Sequence, residues 1–545
     1  MFLYVVDFCL LKPGCIWYNG CDETKALLGA DLGLDLSVAD AALPPTQRPA
    51  REKQESVHRL VRLWYIASKN GGFNMNFVII VSDTFRRDHL GCYGNEWIST
   101  PNLDRFAEKS IVFDRAYAAS FPTVPNRHDL FTGRYTFTYA EWAPLPRDAV
   151  ILAEELGKVG YASMMILDTP HITENGYYFD RGFTGWEWIR GQETDRWRTA
   201  PANPEYPCDR SKLRSPERIV KLHQRNVAWR RYEEDTFVAR TMTEAGLWLQ
   251  RNYGEHENTF LYVDTFDPHE PWDAPQWYVK MYDDPTYYGA DVSYPIYGPV
   301  DYLTDAELKH CRALYAAEAT LVDRWVGHLL ERIEDMGLLE DTLVIFTTDH
   351  GFYHGEHGLI GKSHITPRES HSVPLYEEVA RIPLIMYCPG ATPRRESALV
   401  QPVDLMPTLL DLAGAPLPET THGLSIAPLL RGEPMRTHEF AITSPTIIHH
   451  GAGGCRITLT TEEWALICAP SARESTETMD RAVDGHAKQV GEVRVSSELY
   501  HLPSDPRQQR NVIGQYPKVA ADLRTRLVAF LESCDTSPEY IEPWR

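Results

Sequence analysis

Positive charge is in short supply along this chain. Its 54 lysines and arginines are outnumbered by 76 aspartates and glutamates, leaving a formal net charge of −22 over 545 residues. A nucleic-acid backbone calls for the opposite excess, so that class of partner is excluded. A small anionic substrate is not, because a local pocket can be positive on an acidic protein. Long apolar runs are missing too: none reaches the ~18–20 residues of a membrane-spanning helix. The opening "MFLYVVDFCLLKPGC" is apolar but broken by Asp7. It has no basic segment before it and no small-residue cleavage site, so a signal peptide is not expected. Cysteine is sparse, ten residues at no framework spacing, and the closest pair, Cys15 and Cys21, has no partner at finger spacing. That excludes a disulfide scaffold and a zinc finger, and reduced thiols in a cytoplasmic protein are expected. Internal repeats and low-complexity tracts are also absent.

What is present suffices for a sizeable core: 43% hydrophobic and 11% aromatic residues. Residues 1–74 stand apart. They combine an apolar patch, the polar "ALPPTQRPAREKQ" and one helical pattern over 57–66. Met75 then precedes "NFVIIVSD", an apolar run with the β-branched content of a buried strand. Met75 is therefore expected to be the functional start and 1–74 an extension whose removal leaves a soluble, active protein.

From residue 75 strands and helices alternate. "FVIIVSD", "ASMMILD", "TFLYVDTF", "TLVIFTTD" and "RIPLIMYCPG" read as strands, and 102–109, "AVILAEELGKVG", 306–336 and "DLMPTLLDLAG" as helices. The alternation predicts an α/β fold with a mostly parallel sheet covered on both faces. Residues 191–231 (Arg- and Trp-rich) and 271–302 (Tyr- and Pro-rich) interrupt it and read as surface insertions, the kind of loops that wall a site. After about 435 the pattern shifts to shorter strands and one helix over 519–532. The expected division is a catalytic part over 75–435 and a smaller α+β part over 436–545.

Ligands of open α/β sheets collect at the carboxyl ends of the strands. Asp83 ends the first strand, and Asp349-His350 end "LVIFTTDHG". Two carboxylates and an imidazole converging there would hold one divalent cation, although a lone Asp at a strand end is equally a turn former or N-cap. "SFPTVPNRHDLFTGRY" sets Thr123 between Pro122 and Pro125, with Arg127 close behind. A threonine hydroxyl becomes a competent nucleophile when a cation stabilises its alkoxide, and Arg127 could fork to a tetrahedral oxyanion. The same stretch could instead start a helix capped by Thr123 or Asn126.

Taken together, "VSDTFRRDHLGCYGN", "SFPTVPNRHDLFTGRY", "DPHEPW", "TTDHGFYHGEHGLIGK", "PLYEEVARIPLIMYCPG", "QPVDLMPTLLDLAGAPLP" and "ELYHLPSDPRQQRNV" resemble the sulfatase family of the alkaline-phosphatase-like superfamily, in its order and rough spacing, over about 75–511. The resemblance implies an alkaline-phosphatase-like sheet sandwiched by helices. It implies a metal set of Asp83, Thr123, Asp349 and His350, with Thr123 also the nucleophile. It also implies Arg127 and Lys362 on the substrate oxyanion and His269 facing the leaving group. His171 lies where a Gly-Lys-x-His segment is usual, here without the Lys, and is carried over to the substrate side. Thr84 stands where many members have a second Asp.

Threonine at 123 is a departure. Members of the family have a Cys or Ser there that is oxidised to formylglycine, and the methyl on a threonine β-carbon closes that route. The expected chemistry is direct attack by a metal-bound Thr alkoxide and a covalent Thr ester, on sulfate esters or on phosphate mono- and diesters. A phosphotransferase using the same Thr and a non-catalytic anion-binding relative are the alternatives. One carboxylate fewer at Thr84 and an imidazole at His350 favour Mn²⁺ or Zn²⁺ over Ca²⁺. His354 and His357 are candidates for a second cation or for shaping their turn, and Arg86 and Arg87 for the surface or for support behind the site. Oligomeric state is not legible.

Overall fold

The computed structural model describes residues 75–365, 370–448, 455–470, 475–483 and 486–545. The extension over 1–74, with its helical pattern at 57–66, lies outside them. The chain forms a nine-stranded sheet with helices on both faces. In chain order come β1 (Asn76–Ser82), α1 (Pro101–Glu108), β2 (Ile111–Tyr117), the two-residue β3 (Ser120–Phe121) and α2 (Thr123–Thr132). Then follow α3 (Leu152–Lys158), β4 (Ala162–Leu167), β5 (Gly185–Trp188), α4 (Phe237–Arg251) and β6 (Thr259–Thr265). The long α5 (Asp305–Asp335) leads to β7 (Thr342–Thr347), β8 (Arg381–Ile382), β9 (Leu384–Tyr387), β10 (Arg394–Val400) and α6 (Leu405–Leu412).

The centre of the sheet runs β9-β7-β1-β6-β4-β5. It is parallel from β7 to β5, with β9 antiparallel to β7 and to β2. β1 shows why. Its apolar run is buried on both faces, as in a parallel sheet covered by helices on both sides. Val78 and Ile80 pack on one side with α1, α4 and α5, whereas Phe77, Ile79 and Val81 pack on the other with α2, α3 and α6. The capping box of Thr304 and Glu307 fixes the start of α5.

The C-terminal part forms a smaller sheet from β11 (Ala441–Pro445), β12 (Ile457–Thr460), β13 (Trp464–Cys468) and β14 (Glu498–His501), packed against α7 (Pro517–Ser533). Its last member is β3: Ser444 pairs with Ser120 and Pro445 with Phe121, in parallel. The small sheet therefore grips the segment that leads directly into Thr123.

The two interruptions reach the surface as expected but are anchored from inside. They carry fully buried polar residues, among them Gln192, Glu193, His223, Asn226 and Tyr294, because their side chains are needed inside to satisfy one another. The seven described cysteines are all free. No helix among the described residues is long and apolar enough to cross a membrane.

Candidate active site

Three parallel strands deliver carboxylates to one end of the sheet. Asp83 follows β1, Asp264 lies at the end of β6, and Asp349 follows β7. Ligand atoms of Asp83, Asp349 and His350 lie within 4.8 Å of one another, and all three residues are buried. The turn after β1 is strained. Thr84 has φ +56°, which a β-branched residue adopts only under constraint. That conformation points its N–H at Asp349 Oδ1 (2.9 Å), and its hydroxyl donates back to Asp83 O (2.7 Å). Thr84 thus braces a ligand through its backbone. His350 Nδ1 donates to Gly351 O (2.9 Å), which leaves Nε2 facing Asp349 Oδ2 (3.3 Å).

Thr123 opens α2, a helix that is buried along its whole length and ends at Gly133 in the left-handed region. Lys362 ties the hydroxyl to the trio. Its Nζ lies 3.5 Å from Thr123 Oγ1, 3.3 Å from His350 Nε2 and 3.8 Å from Asp83 Oδ1. The lysine is buried, not on the surface. Asn126 caps nothing here: its side chain donates to Asp349 O (3.0 Å).

Arg127 is fully buried and its guanidinium is spoken for. Nε and Nη2 donate to the two oxygens of Asp264 (3.0 and 2.9 Å), while Nη1 bonds Asp349 Oδ2 and lies 3.0 Å from Asp83 Oδ2. The fork expected on the oxyanion is placed instead on Asp264, a residue that the motifs had not singled out. Asp264 had one signal in the sequence: like Asp83, it ends a strand with buried apolar neighbours.

His269 belongs to a second buried group. His269 is stacked on Phe266 (ring centroids 4.0 Å), and Phe266 also meets the ring of His171 (5.4 Å). His171 Nε2 pairs with Glu193 Oε2 (2.9 Å). Arg214, from one interruption, lies between the rings of Tyr294 and Tyr297 (4.2 and 4.0 Å), from the other. It pairs with Glu270 (2.6 Å) and Glu193 (3.6 Å). Burial and the nearby charges of Lys362 and Arg214 hold the His269 ring well below the usual histidine range.

The charges of the trio fit a cation. Neither oxygen of Asp83 accepts a hydrogen bond, although both are buried. Burial, and then the neighbouring Asp349, push Asp83 well above the usual carboxylate range. Burial would raise Asp349 as well, but Arg127, His350 and Lys362 together outweigh it and hold that group down. Burial takes His350 down to about 3, so its imidazole is neutral and able to coordinate. The other histidines in the turn form no second cluster, for among the described residues this trio is the one found. His354 is buried among Trp272, Tyr315 and Phe352, and His357 stacks on Tyr376. Arg86 is not at the surface either. It is buried and bonded to Asp88 (2.6 Å) and Glu356 (2.8 Å).

The mostly parallel, helix-covered sheet thus brings an Asp-Asp-His trio, a hydroxyl at a helix start and a bridging lysine together at one end. Residues 75–415 match the sulfatase family model, and the chain belongs to the sulfatase family. Residues 370–490 match the family described as N-sulphoglucosamine sulphohydrolase, C-terminal. An arylsulfatase of Clostridium perfringens is 27% identical over 398 residues, 65% of this chain and 78% of the relative. Arylsulfatase K of Canis lupus familiaris is 25% identical over 484 residues, 83% of this chain and 81% of the relative. The phosphonate monoester hydrolase of Agrobacterium radiobacter shares the fold with a TM-score of 0.62 and 20% identity, over 84% of this chain and 95% of that one. The protein is therefore an ester hydrolase of this family, and the non-catalytic alternative falls away. Sulfatases generally use a divalent cation, and the trio is a possible site for one.

Proposed function

We propose that this chain hydrolyses small sulfate esters, or the chemically similar phosphate mono- and diesters, with Thr123 as nucleophile. The observation that carries this is the placement of Thr123 Oγ1 at the buried start of α2, 3.5 Å from the Lys362 ammonium that also meets His350 and Asp83. Amides at a helix start and an ammonium beside them suit an anion. Asp83, Asp349 and His350 would hold a divalent cation, which would supply positive charge favouring ionisation of a nearby hydroxyl and offsetting charge on the transferring group. The mixed carboxylate and imidazole donors favour Mn²⁺ or Zn²⁺ over Ca²⁺.

Two half-reactions follow. In the first, Thr123 Oγ1, its proton released to solvent, bonds to sulfur or phosphorus as the ester's O–S or O–P bond breaks. The departing alkoxide takes a proton and leaves as the alcohol. In the second, water attacks the same sulfur or phosphorus, the bond to Oγ1 breaks, Oγ1 regains a proton and the free oxyanion departs. Lys362 stabilises charge on the transferring group, the main work in such loose transition states. Arg127 holds Asp83 and Asp349 in place, and His269 faces the leaving group.

The test is a panel of aryl sulfates, phosphate monoesters, phosphate diesters and phosphonates, each with Mn²⁺, Zn²⁺ and Ca²⁺. Thr123→Ala is expected to lose at least about a thousandfold in kcat while retaining cation binding. Full turnover in Thr123→Ala would mean another nucleophile. Capture of the group by an added alcohol in preference to water would make the enzyme a transferase.

A further inference from the structure

Facing a leaving group is not the same as being able to protonate it. His269 Nδ1 lies 2.6 Å from Glu270 O, and a carbonyl oxygen only accepts, so Nδ1 carries the proton. In a neutral ring Nε2 then has none to give. A donor at Nε2 requires the imidazolium, in a buried pocket that already contains Lys362 and Arg214.

The pocket contains the compensating charge. Glu270 is fully buried, and its Oε2 accepts no hydrogen bond and lies 3.3 Å from His269 Nδ1. Its Oε1 is pinned by Arg214 Nη2 (2.6 Å) and by the Tyr297 hydroxyl, so the carboxylate cannot swing away. Arg214 in turn is clamped between two tyrosine rings. A carboxylate held this firmly, with one bare oxygen on a histidine, is built to stabilise positive charge on that ring. Nothing in the hydrolytic chemistry described so far uses it.

We propose that Glu270 is a positioning residue for the leaving-group step, holding His269 with Nδ1–H inward and supporting the imidazolium whose Nε2–H protonates the departing alkoxide. Arg214 and Tyr297, supplied by the two interruptions of the fold, fix Glu270. As the ester O–S or O–P bond breaks, its electron pair stays on the alkoxide oxygen, the Nε2 proton moves to that oxygen, and the ring becomes neutral with Nδ1–H retained. In the second half-reaction neutral Nε2 accepts the proton of the attacking water and the imidazolium is restored. This inference rests on the hydrolytic reading of the same site.

The experiment measures kcat/KM of the cation-loaded enzyme on aryl esters whose phenol pKa values span about 4 to 10, for wild type, Glu270→Gln, Glu270→Asp and His269→Ala. A general acid matters most where the leaving group is poorest. Glu270→Gln is expected to lose about threefold on the most activated ester and about a hundredfold on the least, matching the slope of His269→Ala. Glu270→Asp, which keeps the charge, should recover part of the loss on poor leaving groups. A uniform loss across the series, or a wild-type slope in Glu270→Gln, overturns the role of Glu270 while leaving hydrolysis intact. Thermal unfolding of each variant separates misfolding from chemistry, and Arg214→Gln, which frees Oε1, should steepen the slope in the same sense. If wild type turns over no ester in the series, or Thr123→Ala turns over as fast as wild type, it is the hydrolytic reading that fails.

Discussion

Every nitrogen of the Arg127 guanidinium meets a carboxylate: Nε and Nη2 donate to Asp264, and Nη1 bonds Asp349 and lies 3.0 Å from Asp83. Asp264 also accepts from Tyr262 Oη (2.6 Å) and Thr169 Oγ1 (2.5 Å). Asp264 is thus the anchor of the guanidinium, which in turn keeps two like charges together beside the hydroxyl. Removing one partner of a buried pair leaves the other uncompensated, a cost of about 3–5 kcal/mol. Asp264→Asn is nearly isosteric, so its effect should come from charge. Calorimetric unfolding is expected to show a loss of that order, and titration with Mn²⁺ a weaker site. Unchanged stability would mean that Arg127 draws its support from Asp83 and Asp349 alone. This anchor was hidden in the sequence because 137 residues separate the partners, whereas Thr123, Lys362 and the trio were legible as motifs.

At the scale of elements, the turn after β7 depends on close packing. A Cβ on Gly351 would meet Glu378 O at 1.9 Å, and Gly351 N donates to Val379 O (2.9 Å). Gly351→Ala must therefore push the Asp349-His350 turn off the chain ahead of β8. It should cost about 1–3 kcal/mol and weaken cation binding, read by unfolding and by metal titration. A second clamp secures the interruption over 271–302. His310 on α5 meets Asp283 at Nδ1 (2.9 Å) and Asp291 at Nε2 (2.8 Å). Burial would lower the ring, but Asp291 and Asp283 outweigh it and raise it above its ordinary value. The stabilisation is therefore complete below the unfolded histidine value, about 6.5, and is lost as pH rises through the raised folded one. His310→Gln should lower the melting temperature most near pH 6, with the gap closing toward pH 9, and a gap independent of pH would sink the clamp. The helices and strands of the core were readable because burial on one or two faces imposes a period. Helices read at 102–109, 306–336 and 519–532 form within two residues of those limits. The interruptions have no such period. Their order comes from buried charge pairing, which local sequence does not record.

For the whole molecule, the question is whether the C-terminal part is an accessory. Its sheet runs β14-β13-β12-β11-β3, so its edge is a strand from the catalytic part, two residues from the nucleophile. Gln401 adds a second tie, donating to Ala118 O (3.0 Å) and Ile442 O (2.9 Å). Thr443 Oγ1 donates to Ala118 O as well (2.6 Å). Ala119, Tyr135 and Phe137 from either side of α2 are buried in the same apolar cluster as Leu523 and Leu527 of α7. A chain ending at residue 435 would expose that cluster and leave the backbone of Ser120 and Phe121 without its ladder, and buried polar backbone left unpaired is costly. Such a truncation is expected to aggregate, or to fold with turnover down at least about a hundredfold, because Thr123 would lose the strand that sets its entry into α2. Coexpressing 436–545 as a separate chain should restore activity in part, since the ladder needs no covalent join. If the shortened chain were soluble and as active as the full one, the small sheet would have no part in holding the nucleophile.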